Sequence, residues 1–229
     1  MDNELLRNAA VDGDIEQVRK LLDRGANIHT FNDHPLRYAV YHGYIEVVRL
    51  LLERGANVHT MNEYPLQCAA EYGYLRLVQL LLHHGADVQA ERNYALRAAV
   101  TNCHTEIVQI LLDHGADVRV EDNYCLLYAA RYGYTQIVFK LIQQSQFVAG
   151  ARNNALQAAA KNEHWEIADF LIQNRASTSV LNRKQKEMLR RVQEHRLSQL
   201  VSVIASQQRG RYEIRVISQI IAPYLQIQI

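Results

Sequence analysis

The sequence repeats itself every thirty residues, and that period limits what the chain can fold into more than any other feature. Leucine recurs at Leu6, Leu36, Leu66, Leu96, Leu126 and Leu156. Alanine recurs at Ala9, Ala39, Ala69, Ala99, Ala129 and Ala159, and a second leucine at Leu21, Leu51, Leu81, Leu111, Leu141 and Leu171. No insertion interrupts the six copies. A fixed period of this size marks stacked units, each too small to bury its apolar face alone.

Each copy reads as two short helices. In PLQCAAE (65–71), Leu66, Ala69 and Ala70 fall at i, i+3 and i+4, one helical face. Pro35 and Pro65 suit a first helical turn, where a missing N–H costs nothing. Gly13, Gly43, Gly73 and Gly133 then predict a left-handed stop. The second helix, YIEVVRLLLER at 44–54, returns as YLRLVQLLLHH at 74–84, with Ile45, Val48, Leu51 and Leu52 at helical spacing. Gly25, Gly55, Gly85 and Gly115 end it. The step from each of these glycines to the next leucine (Gly55 to Leu66, for example) keeps its length while its content changes.

Composition fits a soluble globular chain, with 48% hydrophobic and 21% charged residues among 229. No run of about 18 apolar residues supports a membrane span. The polar start MDNELLRNAAVDGD argues against a secretory signal. Cys68, Cys103 and Cys125 form no C-x-x-C pair and predict free thiols in a reducing, cytoplasmic compartment. Charge is uneven: residues 1–182 carry 16 Lys and Arg against 21 Asp and Glu, while 183–229 carry 9 against 3. That shift places a boundary near 182.

The runs G-A-N-V and G-A-D-V, then P-L-x-x-A-A, then G-Y-x-E-V-V-x-L-L-L, resemble the ankyrin repeat. The resemblance implies an all-α solenoid of helix-turn-helix units, divided at about 3–32, 33–62, 63–92, 93–122, 123–152 and 153–182. The family period is 33, so three residues are missing between Gly55 and Leu66 and at the equivalent places. A shortened hairpin finger is implied, a tight turn with no long ribbon. Such short units resemble arrays common in giant viruses and some intracellular bacteria, which would place the chain in a host cytoplasm, in contact with host proteins. The family's T-P-L-H threonine and histidine are both absent. Asp33, Glu63, Asn93, Asn123 and Asn153 are predicted to cap the first helices instead. Copies five and six lose their punctuation at Ser145, Phe147, Glu163 and Arg175, which predicts distorted loops near 145–150.

Catalytic and cofactor motifs are missing. There is no phosphate-binding glycine loop and no G-x-S-x-G elbow. His29 and His59 lie one copy apart, and neighbouring helices stand about 8–10 Å apart, too far to share zinc. His83, His84 and His114 suit the ends of second helices. No enzyme activity, cofactor or metal is expected. What the resemblance implies is a non-catalytic scaffold for protein–protein interaction. In the family, partners contact the two residues after the A-A pair and the finger tips, on a concave face. Carried over, this gives Val11, Asp12, Tyr41, His42, Glu71, Tyr72, Thr101, Asn102, Arg131, Tyr132, Lys161 and Asn162, with Tyr38 and Tyr128 from an adjoining column and Phe31, Met61 and Arg92 from the fingers. Tyrosine suits the role, pairing large contact area with few rotatable bonds. Tyr44, Tyr74 and Tyr134 read instead as packing. Nucleic acid is a poor partner for a net-negative repeat region. A monomer binding one partner protein is expected.

Beyond Asn182 the period is lost. Residues 182–208 read as an amphipathic helix with Leu189, Val192, Leu197, Leu200, Val201 and Ile204 on one side. Residues 212–225 read as a second helix and LQIQI as a short strand. The 183–229 segment is read as a basic cap on the last copy. Two alternatives stay open: an F-box-like element recruiting ubiquitin-ligase components, which would make the chain a substrate adaptor, or a basic surface for an anionic membrane or acidic partner.

Overall fold

Thirty-residue periodicity becomes pairs of antiparallel helices in the computed structural model, which describes residues 1–144 and 147–207. No strand occurs among the described residues. The chain divides into two compact units, 1–125 and 126–229.

In the first unit, α1 (Asp2–Asp12) pairs with α2 (Ile15–Asp23), α3 (Thr30–Tyr41) with α4 (Ile45–Glu53), α5 (Thr60–Glu71) with α6 (Leu75–His83), and α7 (Ala90–Thr101) with α8 (Thr105–Asp113). The odd-numbered helices pack in succession as one layer and the even-numbered helices as the other, an all-α solenoid. Helix α9 (Val120–Tyr132) begins in this unit and ends in the second. The second unit continues with α10 (Thr135–Gln144), α11 (Ala149–Lys161), α12 (Trp165–Gln173), a single 3-10 turn (Thr178–Val180) and α13 (Arg183–Gln207).

The periodic columns are the core. Both leucine columns have 0% exposure in every copy, and the alanine column stays within 5%. Each buried leucine contributes about 1.5–3 kcal/mol of apolar burial. The alanines are small enough to let the first helices approach.

The two glycine columns stop helices for different reasons. Gly25, Gly55, Gly85 and Gly115 have φ near +90° and open space where a Cβ would stand. Gly13, Gly43 and Gly73 also have positive φ, but an aromatic ring of the next copy lies on each: Tyr44, Tyr74 and His104 respectively. A Cβ at Gly73 would lie 2.6 Å from the His104 ring. His104 Nε2 donates to the Glu71 carbonyl at 3.0 Å, and Tyr74 Oη donates to the Tyr41 carbonyl at 3.4 Å. In the second unit His164 repeats the arrangement over Gly133 and bonds the Arg131 carbonyl. Tyr44 and Tyr74 therefore pack, as their position in the sequence suggests.

The shortened finger is a tight turn, and its form is left-handed. Phe31–Asn32–Asp33, Met61–Asn62–Glu63, Glu91–Arg92–Asn93 and Glu121–Asp122–Asn123 all have φ between 47° and 66°. Left-handed backbone costs non-glycine residues roughly 1–2 kcal/mol each. Side chains from the following helix offset part of this. Arg37 donates to the carbonyls of Asn32 and Phe31, Gln67 to that of Asn62, and Arg97 to that of Glu91. These three residues occupy the column where the family histidine is missing.

Helix capping by Asp33 and Asn93 is corrected. Their side-chain oxygens accept from backbone amides 24 residues ahead: Asp33 from Asn57 at 3.1 Å and Asn93 from Asp117 at 2.8 Å. Asn3 does the same for Asn27, and Asn153 for Ser177. The column ties the start of a copy to the loop after its second helix. A short polar side chain in this column reaches that loop from the left-handed turn at Asp33 and Asn93 and from ordinary helix at Asn3 and Asn153, which fits the preference for Asp and Asn.

Among the described residues the fourth left-handed turn is the last. Phe147 is buried, Val148 is extended, and α11 starts directly at Ala149 with no left-handed segment. Helix α13 then packs on α12 through Leu189 and a polar dock. Asp169 of α12 is 1% exposed and accepts from Gln193 Nε2 at 2.7 Å, Arg196 Nη1 at 2.9 Å and Gln173 Nε2 at 2.9 Å. The break expected at 209–210, the helix at 212–225 and the terminal strand lie outside the described residues.

Candidate functional site

The C-terminal ends of α3 and α5 bring four of the sequence-selected side chains together. The helices stop at left-handed glycines, so the residues just before each stop project from the end of the first-helix layer. Tyr41 and Tyr72, thirty-one positions apart in sequence, meet edge to face with centroids 5.3 Å apart. Tyr41 meets the His42 ring at 5.1 Å, and Tyr38 stands 6.4 Å from both. The rings stay accessible, with Tyr41 42% and Tyr72 47% exposed.

The patch extends beyond the selected residues. His34 stacks on Tyr38 at 3.8 Å, and Tyr44 and Tyr74 stack against His42 and Tyr72. His34 is a residue the sequence reading missed. It lies four positions before Tyr38 on the same helix, and that i, i+4 spacing is the signal that could have found it. Burial, then the charges of Arg37 and Arg7, lowers the His34 pKa and favours the neutral ring. The hydrogen bond that the Tyr72 phenol donates to Tyr41, ahead of desolvation, holds the Tyr72 pKa up at about 12. Beneath the patch, burial raises Tyr64 to about 12 and Cys68 to about 11. The surface thus offers aromatic faces and neutral phenols at any physiological pH.

Other selected residues are placed differently. Glu71 is exposed beside Tyr72, with its carbonyl held by His104. Asn102 turns back to the Ala98 carbonyl at 3.0 Å. Phe31 and Met61 are exposed at the left-handed turns, and the Arg7 guanidinium lies 5.5 Å from the Phe31 centroid. Arg92 pairs with Glu121 at 2.8 Å, which holds the Glu121 carboxyl below its usual range. Its charge is therefore already partnered. In the second unit, Tyr128 and Tyr132 lie 4.4 Å apart with Tyr134 beside them, and Arg131 is exposed.

The arrangement provides contact area and hydrogen-bond donors. The described residues hold no group of three or more His, Cys, Asp or Glu able to hold a metal ion. Burial holds the Cys125 thiol up at about 12, so neither it nor Cys68 offers a thiolate at neutral pH. No helix among the described residues is long and apolar enough to cross a membrane.

A family model described as ankyrin repeats (3 copies) matches residues 6–92, 61–122 and 89–153. No curated protein matches the chain.

Proposed function

The chain belongs to the ankyrin-repeat family, and from that premise we propose that it is a non-catalytic recognition module whose aromatic patch on α3 and α5 docks a partner protein. Ankyrin repeats generally bind proteins and generally lack catalysis. The observation that carries the reading is the exposed contact between Tyr41 and Tyr72, joined by Tyr38 and His42. Buried packing would hide such rings, and a purely solvated face would not collect them. Phe31 and Met61 extend the surface with apolar tips. Tyr128, Arg131 and Tyr132 form a comparable group in the second unit.

We further assign residues 1–182 to six repeats and 183–229 to a C-terminal extension that caps the last of them. The unbroken columns support the division, and the docking of α13 on α12 supports the cap. The ubiquitin-ligase adaptor alternative rests on residues 212–225, which lie outside the described residues. Free thiols at all three cysteines support a reducing, cytoplasmic setting.

The test is quantitative affinity purification from a cell extract with three baits: the full chain, Tyr41→Ala with Tyr72→Ala, and Gln79→Ala on the exposed side of α6. A partner held by the full chain and the Gln79 variant but lost from the tyrosine variant supports the reading. Equal recovery with all three baits overturns it.

A further inference from the structure

The second unit contains a cleft of about 890 Å³ between the end of α9, the outer side of α11 and the start of α13. Its lining includes Arg131 and Lys161, one copy apart, with the carboxamides of Asn154, Gln157, Asn182 and Gln185. No acidic side chain lines it, and no aromatic one. Arg131, Asn154, Gln157 and Lys161 have no side-chain hydrogen bond or ion pair among the described residues. Asn182 and Gln185 cap each other: Asn182 Oδ1 accepts from the Gln185 amide, and Gln185 Oε1 accepts from the Asn182 amide. Their oxygens are used, so each presents NH2 donors.

Two uncompensated cations among free donors suit a ligand that accepts hydrogen bonds and carries negative charge. An arginine fork binds a carboxylate through two parallel bonds. Free carboxamides can both donate to and accept from a peptide backbone. The absence of an aromatic platform removes the stacking on which single-stranded nucleic acid relies. The cleft is also larger than one inorganic anion needs, and within the usual range of about 300–1,000 Å³ for ligand pockets.

We propose that this cleft takes an acidic peptide segment of a partner protein, with carboxylates on Arg131 and Lys161 and its backbone against the carboxamides. The inference rests on the protein-recognition reading; the cleft is separate from the patch of Tyr41 and Tyr72 and shares Arg131 with the tyrosine group of the second unit.

The experiment is fluorescence anisotropy of fluorescein-labelled octaglutamate titrated with the full chain at low salt. Saturable binding is expected. Arg131→Gln with Lys161→Gln should weaken it about tenfold or more. Lys184→Gln with Arg191→Gln removes the same charge elsewhere and should leave it within about twofold. Asn154→Ala with Gln157→Ala keeps every charge and should still weaken binding severalfold. All these side chains except Gln185 and the stems beneath are exposed, so unfolding midpoints should match the parent. No saturable binding overturns the proposal. So does equal weakening by the Lys184 and Arg191 pair, or binding of phosphatidylserine vesicles in place of the peptide. Tyr41→Ala with Tyr72→Ala should leave octaglutamate binding unchanged, so failure at the cleft and failure at the tyrosine patch are read separately.

Discussion

Gly73 and Gly55 share a left-handed backbone, yet they should respond differently to a methyl group. Each substitution by alanine incurs the left-handed penalty of roughly 1–2 kcal/mol. Gly73→Ala must also displace the His104 ring and its bond to the Glu71 carbonyl, adding at least about 1 kcal/mol. Gly55→Ala meets open space. Denaturant unfolding of the two variants should separate them by that amount. The reverse change is informative at Arg175, which holds φ 71° in the same column as Gly55. Arg175→Gly should stabilise the chain by about 1 kcal/mol. His34 gives a pH signature. Its pKa is lowered from 6.5 in the folded state, so the unfolded chain takes up the proton more readily. Stability should fall as pH drops below about 6.5 and level off below the folded value. His34→Gln should flatten that part of the profile, measured as unfolding midpoint against pH.

The left-handed turn is the element that distinguishes this chain, and it was the least legible. The leucine and alanine columns announce the helix pairs because burial imposes a spacing. Met61, Asn62 and Glu63 announce nothing, since left-handed backbone is normally left to glycine and only asparagine hints at it. The side chains that hold the turn sit five or six residues later and look like ordinary helix-surface residues. Gln67→Ala removes the donor to the Asn62 carbonyl and should destabilise by about 1 kcal/mol. Glu63 is the odd member of the tying column. Its Oε1 contacts His59 and its Oε2 is buried without a partner. Glu63→Asn should place an oxygen where Asp33 and Asn93 hold theirs, and raise the unfolding midpoint. An unchanged or lower midpoint would count against the column's role. The capping expectation failed here because an Asp or Asn before a helix reads identically whether it serves the helix or a loop 24 residues away.

For the molecule as a whole, α13 sets how the last helix pair is finished. Asp169 is a buried carboxylate with three donors, two of them on α13. Gln193→Ala removes one bond to a buried charge and should cost about 1.5–3 kcal/mol. A chain ending at Asn182 loses both donors and the cover of Leu189, and should unfold at lower denaturant than Gln193→Ala. Sequence alone suggested an apolar stripe on this helix but not the carboxylate it docks on, because a lone Asp among apolar neighbours gives no sign of its partners. The tyrosines of the candidate surface were legible from residue type and column. Their edge-to-face contact was not, since it depends on how closely neighbouring copies stack.

The tie from Asp33 to the Asn57 amide closes within a single copy, and so do those from Asn3, Asn93 and Asn153. The bonds to a neighbour reach 28 or 29 residues from Thr60, Asn62 and Arg92, 31 from Arg54 and 33 from Tyr74 and His104, each to the adjacent copy. No copy in the first unit needs a distant one to be complete. A gene encoding such a chain can gain or lose one copy by unequal recombination and still specify every latch that remains. Inheritance can therefore tune the length of the array separately from the residues that line it.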